Sequence, residues 1–115
     1  MPLLSLTTNI NLPKEKQIAL RTHLSSFMAE KLNKSEDFCM TITQFGIGMT
    51  FGGSEEPTAS LEMSSLGLME DLLPELSQSL CQFLEDTLNL DPKRIYIRFT
   101  SPERSHWGWN GKTFG

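Results

Sequence analysis

The sequence predicts an α/β fold: two tandem βαβ units forming a four-stranded mixed sheet with two helices on one face. Three observations carry this. Four short segments, at 2–8, 38–44, 59–64 and 95–99, alternate apolar and polar residues with period two. Within each half, a stretch with apolar residues at helical spacing separates the two alternating segments. Between the halves lies a run containing Gly46, Gly48, Gly52, Gly53 and Pro57.

The elements follow in order. In strand 2–8, Leu4 and Leu6 point one way, Ser5 and Thr7 the other. Residues 9–12 form a loop, and Pro13 suits the first turn of a helix, where its missing N–H costs nothing. From 14 to 32, Leu20, Leu24, Phe27, Met28 and Leu32 recur at helical spacing. Asn33 ends that helix, because asparagine tolerates the left-handed position after the last turn. Phe38, Met40 and Ile42 then alternate with Cys39, Thr41 and Thr43. In the second unit Ala59, Leu61 and Met63 alternate with Ser60, Glu62 and Ser64. A helix over 70–88 has the stripe Leu73, Leu76, Leu80, Phe83, Leu84 and Leu88, with Pro74 in its first turn and Asp71 as its cap. Asp91-Pro92 breaks the chain, and Ile95, Ile97 and Phe99 alternate with Arg94, Tyr96 and Arg98. The tail folds as a tight hairpin around Asn110-Gly111.

Each helix is a crossover, so its flanking strands run parallel. Leu4, Leu6, Phe38, Met40, Ile42, Ala59, Leu61, Met63, Ile95, Ile97 and Phe99 are expected to face the helices. The opposite face, with Ser5, Thr7, Thr41, Thr43, Ser60, Glu62, Ser64, Tyr96 and Arg98, is polar and rich in small hydroxyl residues. A sheet with parallel pairs is seldom bare on one face, and its edges would be exposed, so self-association is the expected cover.

With 115 residues the chain fits one domain, 1–115. At 38% hydrophobic and 21% charged it has the composition of a globular protein. A net charge of −4 without a basic stripe argues against nucleic acid. No apolar run approaches the ~20 residues of a membrane span, and no signal-peptide pattern opens the chain. The expected location is cytoplasmic, with non-classical secretion open. Cys39 and Cys81 form no disulfide framework and are expected as free, buried thiols. His23 and His106 are far apart and no metal-ligand spacing exists, so neither a metal nor any other cofactor is expected.

Pro2 has a chemistry of its own. Initiator methionine is normally trimmed before a small residue, which would leave Pro2 as a free secondary amine at the start of a strand. An α-amine titrates at about 7.7–8.0, and burial or a nearby cation pulls it toward neutral pH, where a general base works best. If Met1 stays attached, that nitrogen is an amide and cannot be a base.

Pro2 joins Thr8-Asn9, Phe51-Gly52-Gly53-Ser54, Glu56-Pro57, Ser65-Leu66-Gly67, Pro92-Lys93-Arg94-Ile95-Tyr96-Ile97, Gly108-Trp109-Asn110 and Thr113-Phe114. In this order and spacing the chain resembles, over nearly its whole length, the family of macrophage migration inhibitory factor and D-dopachrome tautomerase, in the tautomerase superfamily. The resemblance implies a homotrimer with active sites between subunits. It implies that Pro2 is catalytic, moving a proton between carbon and oxygen of an α-keto acid such as phenylpyruvate or a dopachrome-type analogue. Lys34 matches the family's active-site lysine and would bind the substrate carboxylate; read without the family, it is a solvated residue after a helix. The backbone N–H of Leu66 matches a second polar contact. Tyr96 matches a pocket tyrosine supplied by the neighbouring subunit. Leu3, Phe38, Trp107, Trp109 and Phe114 match positions that form or border the hydrophobic part of the site, where aromatic walls suit a phenyl ring.

Three departures stand out. Thr58 and Leu61 occupy the places of the family factor's Cys-x-x-Cys pair, which argues against a dithiol activity. Arg98 replaces a pocket asparagine; it could tighten binding of an acid, favour a diacid, or crowd out bulky substrates. Phe38 lacks a tyrosine hydroxyl at the rim. The resemblance also implies an alternative, a receptor-binding cytokine in which catalysis is vestigial. A third reading, dehalogenation or decarboxylation of small unsaturated acids, rests on Arg98 alone.

Overall fold

The computed structural model describes residues 1–115. Strand β1 (Pro2–Thr8) leads to helix α1 (Lys14–Leu32) and strand β2 (Met40–Gln44). Strand β3 (Ala59–Ser65), helix α2 (Leu73–Leu88) and strand β4 (Ile95–Thr100) repeat the pattern, and β5 (Gly108–Trp109) and β6 (Lys112–Thr113) close the chain as a hairpin. The sheet order is β2-β1-β3-β4. Each βαβ unit is parallel within itself, and the units meet antiparallel through β1 and β3, which makes the sheet mixed.

Local chemistry explains the boundaries. The Pro13 carbonyl accepts from the N–H groups of Lys16 and Gln17, so Pro13 stands just before the first turn of α1. Asn33 and Asn89 end the two helices at φ 52° and 55°, a left-handed conformation that asparagine tolerates. Asp71 does not cap α2. It lies in a 3₁₀ turn over Glu70–Leu72 that feeds directly into the helix, and no side chain caps the first turn. Asp91 does cap, accepting from the N–H of Lys93 at 2.9 Å. Asn110 and Gly111 both have positive φ, as the expected hairpin turn requires.

The core lies between the sheet and the helices. Leu4, Leu6, Leu61 and Met63 are fully buried against Leu24, Met28, Leu80 and Leu84. Phe27 and Phe83 join the two helices with ring centroids 5.6 Å apart. Neither helix is long and apolar enough to cross a membrane.

One face assignment is corrected. Parallel pairing sets Thr41 beside Leu4 and Thr43 beside Leu6. The helix side of β2 is therefore Cys39, Thr41 and Thr43, and Arg21 of α1 donates to the Thr43 hydroxyl at 2.7 Å. Met40 and Ile42 lie on the open face, 60% and 44% exposed. Phe38 belongs to a 3₁₀ turn (Glu36–Phe38) before the strand. The alternation of β2 is real but its phase is reversed. On an edge strand near long side chains of α1, threonines fill the inner face; the Thr43 hydroxyl accepts from Arg21, while that of Thr41 is buried without a partner. Cys39 and Cys81 are half-buried rather than fully buried, and both are free.

Candidate functional site

The start of β1 opens onto a cavity of about 610 Å³. Its floor is one rung of the sheet's open face, Met40–Leu3–Ser64–Thr100, contributed by all four strands. Asp37, Phe38 and Cys39 make one wall. Pro102 and His106 through Trp109 make the other. Phe38 meets Trp109 edge to face at 5.5 Å, and Phe114 stacks behind Trp109 at 6.0 Å. The hairpin carries this wall: the Phe114 N–H donates to the Trp107 carbonyl, and Arg104 holds the Phe114 carbonyl at 3.2 Å.

Pro2 is buried at the inner end, paired with Ser65 across the antiparallel ladder. Met1 precedes it, so the free amine here is that of Met1. Burial holds this amine below its ordinary value. The cation of Lys34 lowers it further, and Cys39 acts in the opposite direction. The Cys39 thiol is pushed up, first by burial, with the terminal amine pulling down and Glu36 pushing up.

Of the site residues expected from sequence, Pro2, Leu3, Phe38, Trp107 and Trp109 line this cavity. Lys34 is exposed after the α1 C-terminus, where its N–H closes the helix on the Ala29 carbonyl, and its charge is felt at the terminal amine. Leu66 is buried immediately after Ser65, beside the Pro2 end of β1. Phe114 backs the wall without lining it. Tyr96 and Arg98 do not line the cavity of their own chain. Tyr96 is 67% exposed, with the Phe51 ring edge-on at 5.0 Å. Arg98 forms a salt bridge with Glu62, its neighbour across the ladder.

Met40, Ser64, Thr100 and His106 are cavity residues that the sequence reading did not single out. The first three follow from strand register once the β2 phase is right. His106 carries no periodicity signal, because it sits in a 3₁₀ turn (Arg104–His106). No group of three or more His, Cys, Asp and Glu residues is arranged to hold a metal ion.

Comparison with known proteins agrees with this architecture. Residues 1–115 match the family model described as macrophage migration inhibitory factor. The chain is 33% identical to a macrophage migration inhibitory factor homolog of Brugia malayi over 120 residues, covering 100% of both. It is 30% identical to the factor of Meriones unguiculatus over 115 residues, 99% of each. The crystal structure of the homologue from Prochlorococcus marinus superposes with a TM-score of 0.90 at 38% identity, over 98% of this chain and 99% of that one. With its two βαβ units, its buried Pro2 and these relatives, the chain belongs to the macrophage migration inhibitory factor family of the tautomerase superfamily.

Proposed function

We propose that the chain is a keto–enol tautomerase for phenylpyruvate-like α-keto acids, with Pro2 as base and then acid once Met1 is removed. The observation that carries this reading is Pro2 itself, buried at the inner end of an apolar-walled cavity, where burial and Lys34 both lower the pKa of the terminal amine beside it. A neutral amine is what proton abstraction needs. The Pro2 nitrogen takes a proton from the carbon next to the keto group. The electron pair left behind forms the carbon–carbon double bond of an enolate, and the ammonium returns the proton to oxygen. Lys34 and the Leu66 N–H would hold the carboxylate. The apolar body of the substrate would rest on Leu3, between the walls formed by Phe38 and Trp107, with Phe114 behind.

Tyr96 lies four residues along β4 from Thr100, about 13 Å at strand rise. That separation supports a site completed by a second copy, in the homotrimer the resemblance implies.

The test is a phenylpyruvate keto–enol assay on protein whose intact mass shows Met1 gone. Rapid conversion by the trimmed chain, lost in Pro2→Gly with native mass unchanged, is the expected result. Undiminished turnover in Pro2→Gly refutes the mechanism.

A further inference from the structure

The open face of the sheet carries the chain's only salt bridge, and it stands beside the cavity floor. Arg98 and Glu62 pair across the β3–β4 ladder. Ser64 and Thr100, two residues further along the same strands, belong to the floor rung. Two residues of strand span about 6.6 Å, within reach of an arginine side chain.

The chain's other arginines are committed elsewhere. Arg94 donates to four main-chain carbonyls, Arg21 to Thr43 and Arg104 to Phe114. Arg98 alone is paired with a carboxylate, and in the single chain that pair is open to solvent, its side chains 69% and 56% exposed. An ion pair so exposed holds its partners weakly and can exchange one carboxylate for another. The guanidinium fork matches any incoming carboxylate with two parallel N–H bonds.

We infer that Arg98 is the receptor for a second substrate carboxylate and that Glu62 is the resident counter-ion this carboxylate displaces. The preferred substrates are then α-keto acids with another carboxylate at the end remote from the keto group. Without such a ligand, Glu62 neutralises Arg98, so no bare cation stands beside the cavity floor to meet an apolar body. The exchange makes and breaks no covalent bond. This deepens the tautomerase reading and rests on it.

The experiment compares phenylpyruvate with 4-carboxyphenylpyruvate on Met1-free protein, reading the ratio of kcat/KM for the diacid over the monoacid. Arg98→Gln should lower that ratio about tenfold, the size of one charge-assisted hydrogen bond. Arg98→Lys should recover part of it. Glu62→Gln should raise the ratio, because the fork is freed and a like charge is gone. Opposite movements in the two variants support the inference. A pair that only braces the sheet would move both acids alike, and a ratio unchanged in Glu62→Gln overturns the proposal. Glu62→Gln is isosteric and decides the matter alone if Arg98→Gln alters the native mass. If wild-type protein turns over neither acid, the tautomerase reading fails. The ratio of dissociation constants from calorimetry then takes the place of kcat/KM, and the same opposite shifts uphold, or their absence overturns, the carboxylate receptor.

Discussion

Replacing Arg94 by methionine is expected to cost about 3 kcal/mol, because its guanidinium ties down the whole 51–57 loop. It donates to the carbonyls of Phe51 and Ser54 at 3.0 Å each, of Glu56 at 2.9 Å and of Pro57 at 3.0 Å. It also lies over the Phe51 ring at 5.3 Å. The bonds to Phe51 and Ser54 are partly shielded, while those to Glu56 and Pro57 are open to water. A hydrogen bond from a charged donor contributes about 1.5–3 kcal/mol, so two shielded bonds at the low end give about 3 kcal/mol and the exposed pair is replaced by water. Methionine keeps the apolar stem, which isolates the effect of the head group. For 115 residues the melting entropy is about 0.24 kcal/mol/K, so Tm should fall by about 12 °C. Calorimetry at fixed protein concentration measures this, and hydrogen exchange should show the 51–58 amides losing protection first. Arg94→Lys should fall nearly as far, since one ammonium cannot reach four carbonyls. A drop under about 4 °C with unchanged loop exchange would refute the clamp.

Other outcomes are equally direct. Lys34→Met should raise the pKa of the Met1 amine while leaving it below its free value, because burial is the larger cause and remains; an unmoved titration midpoint would contradict this. In trimmed protein the same change should move the acid limb of kcat/KM to higher pH, since only the neutral amine accepts a proton. Ile42→Asp, on the exposed side of β2, should lower the native mass toward that of a single chain; an unchanged mass would mean that this face is not the one covered. Burial raises both cysteine thiols, with Glu36 adding at Cys39 and Glu85 at Cys81. Both should therefore alkylate more slowly at pH 7 in folded protein than in urea, and equal rates would count against burial as the cause.

The sequence was legible where a residue's own chemistry decides its conformation. Pro13, Asn33, Pro74 and Asn110-Gly111 mark boundaries because of what their backbones allow, and each stands at or within a residue of its expected place. The segments that carry the family resemblance also have a physical reading. Thr8 donates to the Thr58 carbonyl at 2.8 Å, Asn9 bridges Glu55, Glu56 and Thr58, and Arg94 closes the same loop. These residues form one network at the end of β1 remote from Pro2. They announce the fold and say little about the reaction. The site was only half legible, because its floor is a rung across four strands. Periodicity finds strands but not their phase, and reading Met40 as core hid its place in the cavity floor. Asp71 was misassigned for a related reason: the cap was inferred from residue type, whereas a 3₁₀ turn occupies that place.

The corrected phase of β2 bears on how copies would meet. The open face is apolar at its β2 edge, where Met40 and Ile42 lie, and polar at its β4 edge, where Tyr96 and Arg98 lie. A two-fold contact would set like edge against like. Setting the β4 edge of one copy on the β2 edge of the next is heterologous, and gives a ring where the rotation between copies closes, as the homotrimer implied by the resemblance requires. It also brings Tyr96 toward the neighbour's cavity, whose floor begins at Met40. Mixing inactive chains tests this arrangement. A Tyr96→Ala chain keeps Pro2, a Pro2→Gly chain keeps Tyr96, and neither alone completes a site. Unfolded together in equal amounts and refolded, they should place both intact residues at about a quarter of the sites if Tyr96 acts across the seam of a ring. Activity near a quarter of wild type is the expected result. No recovery, with mixed assemblies confirmed by native mass spectrometry, would mean that the tyrosine serves its own chain; activity already present in Tyr96→Ala alone would mean that it serves none.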